Sequence, residues 1–293
     1  MLRYPGGKLR LQKRINPLIK IAYPESYQSE WVVSEPFTGG GGSLINMAED
    51  FPLWKFHLND SNPEIASLWT FFSQATDSDF NLLYDRIRSQ EVTVKTYKEI
   101  FDSQPTDHIG MAFKIIFLNK TSYSGIVTLA RPIGGWGQKS KWPVDIYWTP
   151  ENIVKKIKRA RNALAGRILS VSVEDFETFL TRVPYDFSYC DPPYIAFGKI
   201  WYSCKFGMHD LGRLKRTLQS RWCLSIDRIP ETELLFNDCN LMGIDVKHTS
   251  KSSYKSKRED RSILSANEMV VFPAGTSLKL CKDLLNEPLV FSD

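Results

Sequence analysis

Asp191-Pro192-Pro193-Tyr194 closes a short apolar run, Asp186 to Cys190, and is the sharpest chemical signal in the chain. Two prolines stiffen a turn and remove two backbone donors, so that nearby carbonyls face outward as acceptors. A carboxylate beside such a carbonyl can accept both N–H bonds of an exocyclic amine, and a following tyrosine offers a ring on which a planar base can stack. The alternative is an ordinary strand-ending turn with a surface tyrosine.

A second constellation lies upstream. Trp31 to Val33 reads as a strand that runs into Glu35-Pro36-Phe37-Thr38 and the glycines Gly39 to Gly42, after which Ser43 to Met47 resumes an apolar helical pattern. Glycines in a strand-to-helix turn let backbone N–H groups approach a nucleotide-like ligand, although a merely flexible turn has the same composition. Asp60 ends the next strand, Lys55 to Leu58, about 20 residues on, where an acidic side chain can accept hydrogen bonds from ribose hydroxyls. The glycines do not follow the GxGxxG register and no GxxxxGK[ST] is present, so hydride transfer and triphosphate chemistry recede. An adenosine-type cofactor without a triphosphate remains.

The elements that position these residues alternate as strand and helix. After Gly166 come a strand at Ile168 to Val173, a helix at Phe176 to Leu180, the strand before Asp191, a helix marked by Leu211, Leu214 and Leu218, and strands at Trp222 to Ile226 and Met269 to Phe272. This order predicts a doubly wound, Rossmann-like parallel sheet. Between the halves, Thr70 to Asn119 is helical, and Asn119 to Trp142 reads as a hairpin or long loop. Thr149-Pro150-Glu151 opens a helix whose outer side carries Lys155, Lys156, Lys158, Arg159 and Arg161. That basic face is either solvated or in contact with phosphates. The predicted organisation is a discontinuous domain, residues 1–60 and 166–293, interrupted by an insertion at 61–165. Arg213 and Lys215 sit on a plain amphipathic helix and read as solvated.

Composition narrows the function classes. The 293 residues are 42% hydrophobic and 24% charged, with 38 Lys+Arg against 33 Asp+Glu and a net charge of +5, the profile of a globular, mildly basic protein. Five cysteines without a CxxC and four scattered histidines argue against a disulfide framework or a metal site. No apolar run approaches the roughly 18 to 20 residues of a membrane span, so a soluble, cytoplasmic protein is expected.

The blocks Arg3-Tyr4-Pro5-Gly6-Gly7-Lys8, Glu35 to Gly41, Asn59-Asp60, Leu118 to Gly125 and Asp191 to Tyr194, in this order, resemble the Dam-type DNA adenine-N6 methyltransferases. The resemblance implies an S-adenosylmethionine cofactor, double-stranded DNA as partner, base flipping, and a mainly helical target-recognition domain, with a β-hairpin, at 61–165. By position it implies that Tyr4 and Lys8 line the cofactor pocket, that Phe37, Gly39 and Gly41 form its F-x-G-x-G loop, and that Asp60 holds the ribose. It places Asp175 and Phe176 near the cofactor's adenine. Asp191, Pro192, Pro193 and Tyr194 become the catalytic motif, Asp191 also touching the cofactor. Tyr123, Ile126 and Arg131 fall in the hairpin that inserts into DNA, and Lys255, Lys257 and Arg258 in a basic backbone clamp.

The implied enzyme is a monomer, either one half of a restriction-modification system whose cognate endonuclease is a separate protein, or a solitary bacterial or phage enzyme. Two departures stand out. Thr128 occupies the place of the arginine usual in enzymes that read GATC, leaving Arg131 as the nearest cation, and Tyr4-Pro5 replaces Trp-Ala. Methylation of RNA adenine or cytosine N4, and a silent DNA-binding homologue, are the alternatives. DPPY favours adenine over the SPPY common for cytosine N4 and the NPPY of protein glutamine methylation.

Overall fold

The computed structural model describes residues 2, 11–125, 127, 131–195, 206–219, 221–245 and 267–276. Seven strands form one sheet: β1 (Val32–Glu35), β2 (Lys55–Asn59), β3 (Ile168–Ser172), β4 (Phe187–Cys190), β5 (Trp222–Asp227), β6 (Asn240–Asp245) and β7 (Asn267–Phe272). Their order is β3-β2-β1-β4-β5-β7-β6. The first five run parallel, and β7 inserts antiparallel between β5 and β6. This is the doubly wound Rossmann-like sheet expected from the sequence, with an antiparallel edge.

Short apolar strands buried on both faces explain the pattern, since every residue of β4 and β5 is buried. Helices α1 (Gln12–Ala22), α2 (Gly42–Asp50) and α3 (Pro63–Gln74) contribute to one apolar cluster with Val33, Phe56 and Tyr189. Helices α8 (Phe176–Arg182) and α9 (Met208–Thr217) contribute to a second with Leu224, Ile226 and Met269, and α10 (Pro230–Leu235) packs against α9.

Between β2 and β3 lie α3, α4 (Asp77–Ser89), α5 (Val94–Asp102), α6 (His108–Thr121) and α7 (Pro150–Leu164). Their starts are written locally: Asn62, Thr76, Thr93 and Asp107 each accept a backbone N–H of the first turn. α3 packs against both β3 and α6, so it joins the sheet to the helices that follow.

After α6, Tyr123 N donates to the Arg131 carbonyl at 2.9 Å and Ile133 N to the Thr121 carbonyl at 2.8 Å, around an antiparallel bridge between Ser122 and Pro132. This is the base of a hairpin, in the stretch where the sequence reading places a hairpin or long loop. The expected strand from Asp186 starts one residue later, at Phe187, and Asp186 still joins β4 to β1, its carboxylate accepting the Val32 N–H and its own N–H donating to the Val32 carbonyl, both at 2.8 Å. Helices α1 and α10 and strand β6 have no counterpart in the sequence reading. Among the described residues no helix is long and apolar enough to cross a membrane.

Candidate active site

The carboxyl ends of β1, β2, β3 and β4 are where the sequence-marked residues meet. Glu35 ends β1, and the chain then turns through Phe37, Thr38 and Gly39 to Gly41. The Thr38 N–H and hydroxyl both donate to the Asn59 carbonyl, at 3.0 and 3.1 Å, which ties this turn to the end of β2. Gly39 and Gly41 take positive φ values, 49° and 65°. Gly41 is also sterically obligatory, since a Cβ there would lie 2.1 Å from the Cη2 of Trp69. Trp69, fully buried in α3, donates its indole N–H to the Gly39 carbonyl at 3.0 Å and braces the turn from below.

Asp60 follows β2. Its two oxygens accept the Gly39 N–H at 2.8 Å and the Asn62 N–H at 2.9 Å. Burial raises its carboxyl to about 6, although both N–H bonds favour the charged form. Asn59 belongs to the Asn59-Asp60 block but has no role in the sequence reading. Its buried amide donates to the carbonyls of Pro36 and Glu174 at 3.1 Å and accepts the Glu174 N–H at 2.9 Å, pinning together the turns that follow β1, β2 and β3. An asparagine at a strand end gives no sign in sequence that one partner, Glu174, lies 115 residues away.

Beyond β3, Asp175 caps α8 by accepting the Glu177 N–H at 3.0 Å. The Phe176 ring meets Phe37 at 5.5 Å between centroids, and Phe206 closes an aromatic trio at 5.6 Å from Phe37 and 5.9 Å from Phe176. Arg213 is not the solvated cation expected. Its guanidinium pairs with Asp175 at 2.8 Å, Glu177 at 2.7 Å and Asp210 at 3.3 Å, and lies over the Phe176 ring. Lys215 likewise bonds Asp238 and the Leu235 carbonyl. A one-helix view cannot see carboxylates brought in by neighbouring helices.

After the buried β4, Asp191, Pro193 and Tyr194 are partly exposed while Pro192 is buried. Tyr194, like Phe37 and Phe206, packs against the second apolar cluster. Its hydroxyl donates to the Glu268 carboxylate, and the next N–H, that of Ile195, is taken by Asp227 at 2.9 Å.

Glu35 is the second residue without a role in the sequence reading. It is 1% exposed, and one carboxyl oxygen has no hydrogen-bond partner. Burial pushes it well above the usual carboxylate range, and the neighbouring Asp191 and Asp60 push in the same direction. Three carboxylates therefore converge between the glycine turn and the proline motif, a setting that favours a cationic ligand. Among the described residues no group of His, Cys, Asp and Glu is arranged to hold a metal ion. Burial also pushes the Cys190 thiol up to about 12, so it is no thiolate nucleophile.

The structure thus brings together Phe37, Gly39, Gly41, Asp60, Asp175, Phe176, Asp191, Pro192, Pro193 and Tyr194 at one edge of the sheet. Tyr123 and Arg131 stand apart from them, exposed at the base of the hairpin. Tyr4, Lys8, Ile126, Thr128, Lys255, Lys257 and Arg258 lie outside the described residues. The basic face of α7 is only partly available. Arg159 pairs with Glu49 of α2, Arg161 pairs with Asp77 and lies over Phe80, and Lys158 lies over Tyr84, whereas Lys155 and Lys156 are exposed.

Known methyltransferases are similar to this chain. A Type II methyltransferase, M.CviBI of Paramecium bursaria Chlorella virus NC1A, is 26% identical over 218 residues, covering 73% of this chain and 76% of its own length. The Type II methyltransferase M.MjaIII of Methanocaldococcus jannaschii is 22% identical over 261 residues, covering 82% and 84%. The D12 class of N6 adenine-specific DNA methyltransferases matches residues 4–259. With nearly the whole chain matched and the proline motif seated beside the glycine turn, the chain belongs to the D12 class of N6 adenine-specific DNA methyltransferases.

Proposed function

We propose that this protein methylates adenine N6 at a specific duplex DNA sequence, with S-adenosylmethionine as methyl donor and the target base flipped out of the helix. The observation that carries the reading is that β4, which leads into Asp191 to Tyr194, pairs with β1, which leads into the glycine turn, so that Asp191 lies close enough to the buried Glu35 to act on its charge. When bound, S-adenosylmethionine supplies a methyl group on a positively charged sulfur. The residues present fit such a group. Glu35 has an unpartnered buried oxygen, Asp60 directly follows β2 where a ribose acceptor belongs, and Phe37 and Phe176 offer apolar walls to an adenine.

On the substrate side, the lone pair of an adenine amine is delocalised into the ring and is a poor nucleophile. Asp191 and the Pro192 carbonyl, by accepting its two hydrogens, draw electron density back onto nitrogen. Tyr194 stacks on the extruded base. Residues 61–165 serve as the target-recognition unit, with Tyr123 and Ile126 as wedges, Arg131 as a base-edge contact and Lys155, Lys156, Lys255, Lys257 and Arg258 on phosphates. Tyr4 and Lys8 close the cofactor pocket. The enzyme acts as a monomer in the cytoplasm, paired with a separate restriction endonuclease or on its own.

Calorimetry tests the cofactor assignment. Asp60→Ala removes a charged acceptor, so S-adenosylmethionine should bind about 10-fold more weakly or worse, while affinity for DNA stays within about twofold. The reverse pattern would refute it.

A further inference from the structure

Glu268 is a buried acid with no part in the chemistry so far. It sits second in β7, and because β7 runs antiparallel to β5, the start of β7 lies at the same sheet edge as the carboxyl ends of the parallel strands. Glu268 is directly paired with Asp227, the last residue of β5. Both are almost fully buried, at 2% and 3% exposure. Burying a carboxylate is costly unless donors meet it, and here both oxygens are met. One accepts the Ser225 hydroxyl at 2.5 Å and the other accepts the hydroxyl of Tyr194. Asp227 meanwhile takes the Ile195 N–H, so the loop after Pro193 is held twice, through its backbone by Asp227 and through its aromatic side chain by Glu268.

The geometry points to Glu268 as the positioning residue for Tyr194. Accepting the phenolic proton fixes the ring's rotation and tilt before substrate arrives, so a flipped adenine meets a stacking surface already in place. Ser225 in turn holds the carboxylate. Glu268 itself touches no reacting atom. Its effect passes through Tyr194, and the inference rests on the reading of Tyr194 as the platform for the base.

A double-mutant cycle read by single-turnover methyl transfer to duplex DNA tests it, with Asp191→Ala as the inactive control. Glu268→Ala should slow transfer about 10- to 100-fold, the fold-change of losing one hydrogen bond to a charged group, and Tyr194→Phe should do the same. In the Tyr194→Phe background Glu268→Ala should add less than about twofold, because the bond is already gone. Glu268→Gln, whose amide oxygen still accepts the phenol while Ser225 turns to accept its amide, should keep the rate within about fivefold. Affinity for S-adenosylmethionine should stay within about twofold throughout.

Equal losses from Glu268→Ala in both backgrounds would overturn the inference, as would full activity of Tyr194→Phe. Should Glu268→Ala fail to fold, the same cycle run with Glu268→Gln decides, since its smaller loss must also vanish beside Tyr194→Phe. Loss of coupling while Asp191→Ala stays inactive would sink this inference alone. A wild-type protein that leaves adenine unmethylated would remove the underlying reading, and this inference with it.

Discussion

Replacing Gly41 by alanine sets a methyl group against the indole that braces the glycine turn. Two costs add. The residue sits at φ 65°, a left-handed conformation that costs a non-glycine residue about 1 to 2 kcal/mol. The new Cβ would also lie 2.1 and 2.2 Å from two ring carbons of Trp69, which is fully buried and anchored by its bond to the Gly39 carbonyl. Forcing a methyl into a packed site costs about 1 to 3 kcal/mol, and displacing the indole forfeits roughly another 1 kcal/mol of hydrogen bonding. The expected loss is about 3 to 6 kcal/mol.

Gly166 supplies the control. It has a similar φ, 67°, but a Cβ there meets nothing within 4 Å, so Gly166→Ala should cost only the backbone share, about 1 to 2 kcal/mol. Equilibrium urea unfolding of the two variants separates the terms. Trp69→Phe, which removes the clashing ring, should recover at least about 1 kcal/mol when combined with Gly41→Ala. Equal losses at Gly41 and Gly166, or no relief from Trp69→Phe, would refute the packing argument.

Other expectations follow from the charges. Asp60 holds its proton to about pH 6 in the folded protein against an ordinary value of 3.8, so its contribution to stability is greatest below about pH 4 and is lost as pH rises through 6, about 3 kcal/mol in all. Glu35, raised by burial, acts in the same direction. Urea unfolding at pH 5 and pH 8 should therefore show the protein weaker at pH 8, with the difference reduced in Asp60→Asn; an unchanged difference would contradict the burial of that charge. Lys155→Gln with Lys156→Gln should weaken all DNA sequences alike and lower the salt slope by about 2, whereas Arg161→Gln, removing a side chain spent on Asp77 and Phe80, should leave the slope unchanged.

What the sequence made legible was local. Asp191 to Tyr194, the glycine turn and Asp60 are recognisable because turn chemistry and spacing along one strand-turn-helix unit are written in neighbouring residues. The sheet followed from short apolar runs separated by helical periods. Residues whose roles depend on distant partners were invisible. Trp69 reads as an ordinary core aromatic until the turn folds onto it, and Asn59 joins segments separated by more than 100 residues. Glu268 looks like a polar residue before an apolar strand, and only the antiparallel insertion of β7 brings it to the edge where the parallel strands end. Arg213 reads as solvated, and Arg161 as solvated or on phosphate, for the same reason, since ion pairing between elements leaves no periodic trace. β6, with Gly243 inside it, lacks the continuous apolar character of a central strand because it lies at the sheet edge.

The most direct test of the central claim is a methylation map. The protein and its Asp191→Ala variant would be expressed in a host lacking adenine methylation, and N6-methyladenine located by single-molecule sequencing. The account expects one discrete sequence motif to be methylated with the wild type and none with the variant. Unmodified DNA from folded wild-type protein, or a folded Asp191→Ala variant that methylates as the wild type does, would contradict it.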